Sequence, residues 1–322
     1  MKKAIVTGAN GQDGSYLSEL LISKGYKVAG IVRRSSTNNL LNLKGVLNEE
    51  NFNVYYGDVT DLPSIINIVE AVQPDEFYNL AAMSFVGESW NEPVLSAQVT
   101  GMGCLNCLEA LRIKKPDCKF YQASTSELFG KVKEMPQTEK TSFNPRSPYG
   151  VAKAFAHYAT VNYRESYNMF ACAGILMNHE SERRGMEFVT RKITNGVAQI
   201  HLGLTDHITL GNIDAKRDWG YAPDFVKAMY LMLQQEKPDD YIIATGQTRT
   251  IKDLLDIAFK IIGIKDWSKY VKQDPKLIRP AEVDILLGDA TKAKNVLGWK
   301  PETPFQKMIE KMVLNDIEIL KK

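Results

Sequence analysis

Uninterrupted apolar runs and amphipathic stretches take turns along the first half of the chain. "KKAIVTG" at 2–8 is a short apolar run of the kind a strand covered on both faces requires, while "SYLSELLISKGY" at 15–26 repeats its apolar residues at helical spacing and stops at Gly25. "KVAGIVRR" at 27–34 predicts a second strand and "NFNVYYGDV" at 51–59 a third, separated by the polar segment "SSTNNLLNLKGVLNEE". "DLPSIINIVEAVQPDEFYNLAAMS" reads as helix, turn and strand, and "CKFYQASTSE" as a further strand behind a helix. "SPYGVAKAFAHYATVNYRESY" then predicts a long helix and "MFACAGIL" the strand that follows it. This order predicts an α/β fold built on a doubly wound parallel sheet, with ligands gathered at the strand ends.

The rhythm breaks near residue 176. Beyond it, "GMEFVTRKITNGVAQI" and "RDWGYAPDFVKAMYLMLQQ" mix helices, short strands and basic loops. The economical reading is a Rossmann-like domain over 1–175 and a smaller mixed α/β substrate-binding lobe over 176–322. A return segment around 215–246, ending in "YIIATG", belongs with the first.

Charge narrows the partners. Forty basic and 38 acidic residues leave +2 over 322 residues, with neither sign gathered into a block, so no general nucleic-acid-binding surface is expected. No apolar run reaches the length of a bilayer span and no signal-peptide pattern opens the chain, which predicts a cytoplasmic protein with no membrane partner. Four cysteines suit a reduced compartment; "CLNC" at 104–107 lies in a helical pattern of small and apolar residues and reads as packing. The four histidines lack HExxH spacing, so no metal site is expected.

Two clusters carry chemistry. The first strand runs into "TGANGQDG", where Gly8, Gly11 and Gly14, with Asn10, Gln12 and Asp13 between and beside them, form a tight turn at the start of a helix. Backbone N–H groups and the helix's positive end there suit a pyrophosphate. At the end of the second strand, where a ribose-binding carboxylate would favour NAD, stand Arg33, Arg34 and Ser35; two guanidinium groups favour NADP. Asp58 in "GDV" offers a hydrogen bond to the adenine region, and "NLAAMS" at 79–84 a close backbone approach.

The second cluster is "SPYGVAK". Ser147 can cap a helix, Pro148 fits its first turn, and Tyr149 and Lys153 then share a face. An adjacent ammonium favours phenolate, making Tyr149 a base for an alcohol proton while a dinucleotide takes hydride from the same carbon. "YQASTSELFG" sets Thr125 and Glu127 just past a strand. Glu127 reads either as a helix N-terminal charge, since "STSE" fits a capping box, or as an acid–base group that simple alcohol oxidation does not need.

The motifs "TGANGQDGSYL", "YQASTSELFG", "PRSPYGVAK", "GILMNHESERRG", "FVTRKIT", "LGNIDAKRDWG" and "RPAEVDILLGD" together resemble the extended short-chain dehydrogenase/reductase family and, within it, the GDP-mannose 4,6-dehydratases. The resemblance implies conversion of GDP-D-mannose to GDP-4-dehydro-6-deoxy-D-mannose and water. Thr125, Glu127, Tyr149 and Lys153 would be the reactive set; a GDP-manno-heptose dehydratase and a GDP-4-keto-6-deoxymannose reductase are the alternatives. It extends the NADP wall to Val59, Leu80, Ala81, Ala82, Ser84, His179 and Arg184. It assigns Ser84, Glu127, Asn178, Val189, Lys192, Arg217, Arg279 and Glu282 to the GDP-sugar. It further implies a homotetramer, or failing that a homodimer, in which the segment 33–45 crosses to a neighbouring subunit. Glu182, Met177 and Glu88 depart from the family pattern; Glu88 and Met177 are expected to reshape the hexose pocket.

Overall fold

The computed structural model describes residues 1–37, 39–277, 283 and 285–321. β1 (Lys3–Thr7) leads into α1 (Gln12–Ser23), β2 (Lys27–Val32), β3 (Phe52–Tyr56), α2 (Leu62–Val72) and β4 (Glu76–Asn79). α3 (Pro93–Ser96) passes through a π-helical stretch, Ala97–Met102, into α4 (Gly103–Lys114), followed by β5 (Lys119–Thr125), α5 (Pro148–Tyr167) and β6 (Ala171–Leu176). The remainder comprises β7 (Asn178–Glu180), α6 (Val189–His201), β8 (Ile208–Leu210), β9 (Lys216–Tyr221), α7 (Ala222–Leu233), β10 (Asp240–Ile243), β11 (Thr248–Thr250), α8 (Ile251–Ile261), β12 (Val271–Gln273) and α9 (Phe305–Leu320).

Seven strands form one sheet in the order β10-β6-β5-β4-β1-β2-β3, each neighbouring pair parallel. The apolar runs are continuous because helices cover both faces: Ala4, Ile5, Val6 and Thr7 of β1 are all buried. Leu17 and Leu21 of α1 pack with Phe225 and Met229 of α7 on one side. Ile65 and Val69 of α2 pack with Leu108 and Leu111 of α4 on the other. Burying each such side chain contributes roughly 1.5–3 kcal/mol. The strand order reverses between β1 and β4, and this opens a crevice at their C-terminal ends.

β10 joins the edge of that sheet beside β6, whereas β9 pairs instead with β7 and β11, and β12 with β8. A separate apolar cluster, with Val197 of α6, Leu255 of α8 and Met312 of α9 among its members, unites the C-terminal helices. Val189, Thr190 and Lys192 of α6 and Ile251 of α8 line the far side of the crevice.

The segment after β2 folds back on the glycine turn of its own chain. Asn10 donates its side-chain amide to the Asn39 carbonyl at 2.9 Å, and Asn42 donates to the Asn10 carbonyl at 3.0 Å. All four cysteines are buried and free, Cys104 and Cys107 within α4; burial pushes the Cys104 thiol up to about 12. Among the described residues no helix is long and apolar enough to cross a membrane.

Candidate active site

A cleft of about 700 Å³ opens where the strand order reverses. Its floor is the turn after β1. Gly8 has φ +64°, and its position lies so near Ala81 that a Cβ would sit 3.2 Å from the Ala81 backbone; at Gly14 a Cβ would fall 2.3 Å from the Gly8 carbonyl oxygen. Glycine is required at both. Gly11 N–H closes the turn on the Gly8 carbonyl at 2.9 Å, and α1 begins at the next residue with no side-chain cap, leaving its first N–H groups toward the cleft.

Thr7 fixes the adjoining wall. Its hydroxyl donates to Asn79 Oδ1 at 2.7 Å and accepts the N–H groups of Leu80 and Ala81 at 3.0 Å each, which holds that backbone against the turn. One Asp58 oxygen is taken by the N–H and hydroxyl of Thr60.

α5 supplies the reactive face. Ser147 accepts the Gly150 N–H at 3.0 Å, Pro148 occupies the first turn, and the buried face that follows includes Tyr149, Ala152 and Lys153. Thr125 lies close enough to Tyr149 to favour its phenolate, and Lys153 donates to the Ala123 carbonyl at 2.6 Å with its Nζ 5.8 Å from the Tyr149 ring centre. The expectation that the ammonium lowers the tyrosine pKa is corrected: burial dominates and raises it, opposed by Thr125 and Arg184 rather than by Lys153. Burial also brings Lys153 down to about 8. Thr125 caps a single helical turn, Ser126–Leu128, by accepting the Glu127 N–H at 3.3 Å; Glu127 is 7% exposed and lines the cleft.

The opposite wall is held by ionic contacts distant in sequence. His179 sits with Nε2 2.7 Å from Asp13 Oδ2 and Nδ1 2.8 Å from the Met177 carbonyl, its ring stacked on Phe225. Two acceptors call for a doubly protonated ring. Burial works against that charge, but Asp13 outweighs it and raises the His179 pKa; burial likewise works against the Asp13 carboxylate, and His179 holds it below its ordinary value. Arg184 lies 3.1 Å from Glu180 and over the Phe188 ring. Arg191, unmarked in the sequence reading, is buried: its Nε donates to Asp316 of α9 at 2.8 Å, and Nη1 donates to the carbonyl oxygens of Glu182 and Arg184. Its signal in the sequence was its place inside "FVTRKIT".

The cleft brings together Gly8, Asn10, Gly11, Gln12, Asp13, Gly14, Arg33, Asp58, Val59, Leu80, Ala81, Ala82 and Ser84 with Thr125, Glu127, Tyr149 and Lys153. It also includes Asn178, His179, Arg184, Val189, Lys192 and Arg217. Arg34 and Ser35 are exposed and do not line it; Ser35 bonds to Thr37. Arg279 and Glu282 lie outside the described residues. Met177 lines the cleft, but Glu88 does not: its carboxylate accepts the Asn91 side chain, and Gly87 takes the wall position. Glu182 instead accepts the hydroxyls of Tyr16 and Tyr221.

The turn fits a dinucleotide's pyrophosphate, since its glycines leave backbone N–H groups open to the cleft. The buried Asn178 Oδ1, which lacks a protein partner, offers an acceptor to a ligand.

The family described as GDP-mannose 4,6 dehydratase matches residues 5–312. GDP-mannose 4,6 dehydratase 2 of Arabidopsis thaliana is 49% identical over 331 residues, covering 100% of this chain and 88% of the plant protein. The Homo sapiens GDP-mannose 4,6 dehydratase is 47% identical over 342 residues, covering 99% of this chain and 92% of that protein. Among solved structures, the UDP-glucose 4-epimerase of Thermus thermophilus in complex with NAD has a TM-score of 0.82 at 26% identity and covers 98% of both chains. Dehydratases of dTDP-glucose from Bacillus anthracis and Streptomyces venezuelae, which share the fold at 21% and 22% identity, are likewise complexed with NAD. These structures overturn the expectation of NADP. That expectation rested on an arginine pair of which Arg34 stands outside the cleft. Full-length agreement at nearly half identity settles the family: the chain belongs to the GDP-mannose 4,6-dehydratases.

Proposed function

We propose that the chain converts GDP-D-mannose to GDP-4-dehydro-6-deoxy-D-mannose and water, with NAD as the dinucleotide. The observation that carries this reading is Glu127 in the same cleft as Thr125, Tyr149 and Lys153: alcohol oxidation uses the last three, whereas elimination of water needs the carboxylate as well. The chemistry supplied by the bound dinucleotide is acceptance of hydride from sugar C4 and its return at C6. Tyr149 takes the C4 hydroxyl proton, with Thr125 sharing the oxygen and Arg184 supplying positive charge that a buried phenolate needs, while Lys153, 5.8 Å from the Tyr149 ring centre, holds the Ala123 carbonyl beside it. The C4 ketone then acidifies the C5 proton, which Glu127 removes and passes to the departing C6 hydroxyl. The proton that Tyr149 holds balances the one C5 regains, so water is the only group lost.

Residues 1–175 with the return segment 215–246 form the dinucleotide-binding part, a division supported by β10 pairing into the main sheet, and 176–322 mainly the nucleotide-sugar part. Lys192 and Arg217 neutralise the diphosphate, with Asn178 and Val189 beside the sugar. The protein is cytoplasmic, in keeping with its four free thiols, and a homotetramer or homodimer. Val151, Phe155 and Tyr158 leave an apolar face of α5 exposed, which a second copy would cover.

Incubation with GDP-mannose and a catalytic amount of NAD, followed by mass analysis, tests the reaction. Loss of one water per sugar with no net reduction of the dinucleotide is expected. Unchanged mass, or stoichiometric consumption of reduced dinucleotide, overturns it.

A further inference from the structure

The face that α5 turns toward β5 carries a third polar residue. Tyr149, Lys153 and His157 follow at four-residue intervals, and each engages a different one of three consecutive strand residues. Tyr149 feels Thr125 beside it, Lys153 donates to the Ala123 carbonyl at 2.6 Å, and His157 Nδ1 lies 3.0 Å from the Ser124 hydroxyl oxygen. Ser124 and His157 are 3% and 5% exposed, and Ser124 lines the cleft.

The charged groups acting on His157 are Asp240 of β10, with Oδ2 3.9 Å from Nε2, and Arg164 of α5, which bonds to the same carboxylate. Phe143 and Tyr158 meet the ring edge-on. A carboxylate behind Nε2 favours the tautomer with its proton there. Nδ1 is then bare, so Ser124 donates to it and keeps only lone pairs for the cleft.

We propose that His157 is a positioning residue for the oxidation step. By accepting a hydrogen bond from the Ser124 hydroxyl it locks residues 123–125 in register with Tyr149 and Lys153, and it presents Ser124 to the cleft as an acceptor alone. The proposal rests on Tyr149 and Lys153 being the oxidising pair. Burial lowers the His157 pKa, so the ring is neutral at neutral pH. On acidification the imidazolium would donate to Ser124 and reverse the hydroxyl, which gives the role a pH signature.

The test uses the full chain with Ser124→Ala, His157→Phe, which keeps a ring against Phe143, and His157→Asn, which restores a polar atom near the Nδ1 position. Steady-state kcat and KM for GDP-mannose, the pH profile of kcat, and the NAD dissociation constant are measured. Ser124→Ala and His157→Phe should each lower kcat about tenfold while KM and NAD affinity stay within about threefold; His157→Asn should recover most of the loss. Because both act through one bond, the Ser124→Ala/His157→Phe double variant should be no slower than the worse single variant. The acid limb of kcat should shift in His157→Phe. A kcat within twofold of the parent in Ser124→Ala, losses that multiply in the double variant, or an unmoved acid limb overturns the proposal. If circular dichroism finds His157→Phe unfolded, Ser124→Ala, His157→Asn and their combination decide by the same criteria. Full activity in Tyr149→Phe would instead overturn the oxidising pair, a separately readable failure.

Discussion

The two walls of the cleft are built by different means. On the sheet side, short-range devices aim the side chains: a glycine turn held by one bond between Gly11 and Gly8, a Ser147 cap, and a four-residue spacing from Tyr149 to Lys153. On the far side, Arg184 and Lys192 sit in place because charge pairs join distant segments, the half-buried Asp13 to His179 and the buried Arg191 to Asp316. The sheet side therefore tolerates loss of a contact as a local defect, whereas the far side loses its scaffold when one charge goes.

The largest effect sharpens the chemistry of the sheet side. Glu127→Gln should still bind both ligands yet lower kcat by about 10²–10⁴, the range for a lost acid–base group. Tyr149→Phe should lower it similarly and also suppress the build-up of reduced-dinucleotide absorbance in a single turnover; near-normal rates would remove either residue from its role.

Next comes the far wall. Asp316 is fully buried, and burial raises its pKa despite Arg191, so the pair is costly to keep and more costly to break. Asp316→Asn should destabilise the chain by about 3–5 kcal/mol in urea unfolding, whereas replacing Arg191 and Asp316 together by Met and Leu should recover much of it. Equal losses in the single and paired replacements would erase the contrast between the walls.

The third effect depends on pH. The His179 pKa is raised on folding, so its share of stability is complete below about 6.5 and is lost as pH climbs through the raised value. The Asp13 pKa is lowered, so its share is present above about 3.9 and is lost as pH falls through the depressed value. Between these limits Asp13→Asn should cost about 1.5–3 kcal/mol, shrinking at higher pH. A cost independent of pH would mean the ring is neutral. Smallest of all, Ser147→Ala should cost about 1 kcal/mol by thermal melting, a purely local loss.

The same contrast explains what was legible in the sequence. Strand runs, the Gly25 stop, and the cap and spacing of α5 are local patterns, and the sheet follows the order they predict. Burial is not local. The sequence put Lys153 beside Tyr149 but could not weigh desolvation against it, so the sign of the tyrosine shift came out reversed. Arg34 and Glu88 were one residue from positions that do line the cleft, and a one-residue error in a turn sends a side chain to the opposite side. Nothing near Arg191 announces a partner 125 positions away.

The hydrogen bonds that join Asn10 to Asn39 and Asn42 have a consequence for local opening. They make the loop and the glycine turn one cooperative unit, so the backbone amides of both should exchange with solvent at a shared rate, and loosening either bond should speed exchange across the whole unit rather than at the substituted residue alone.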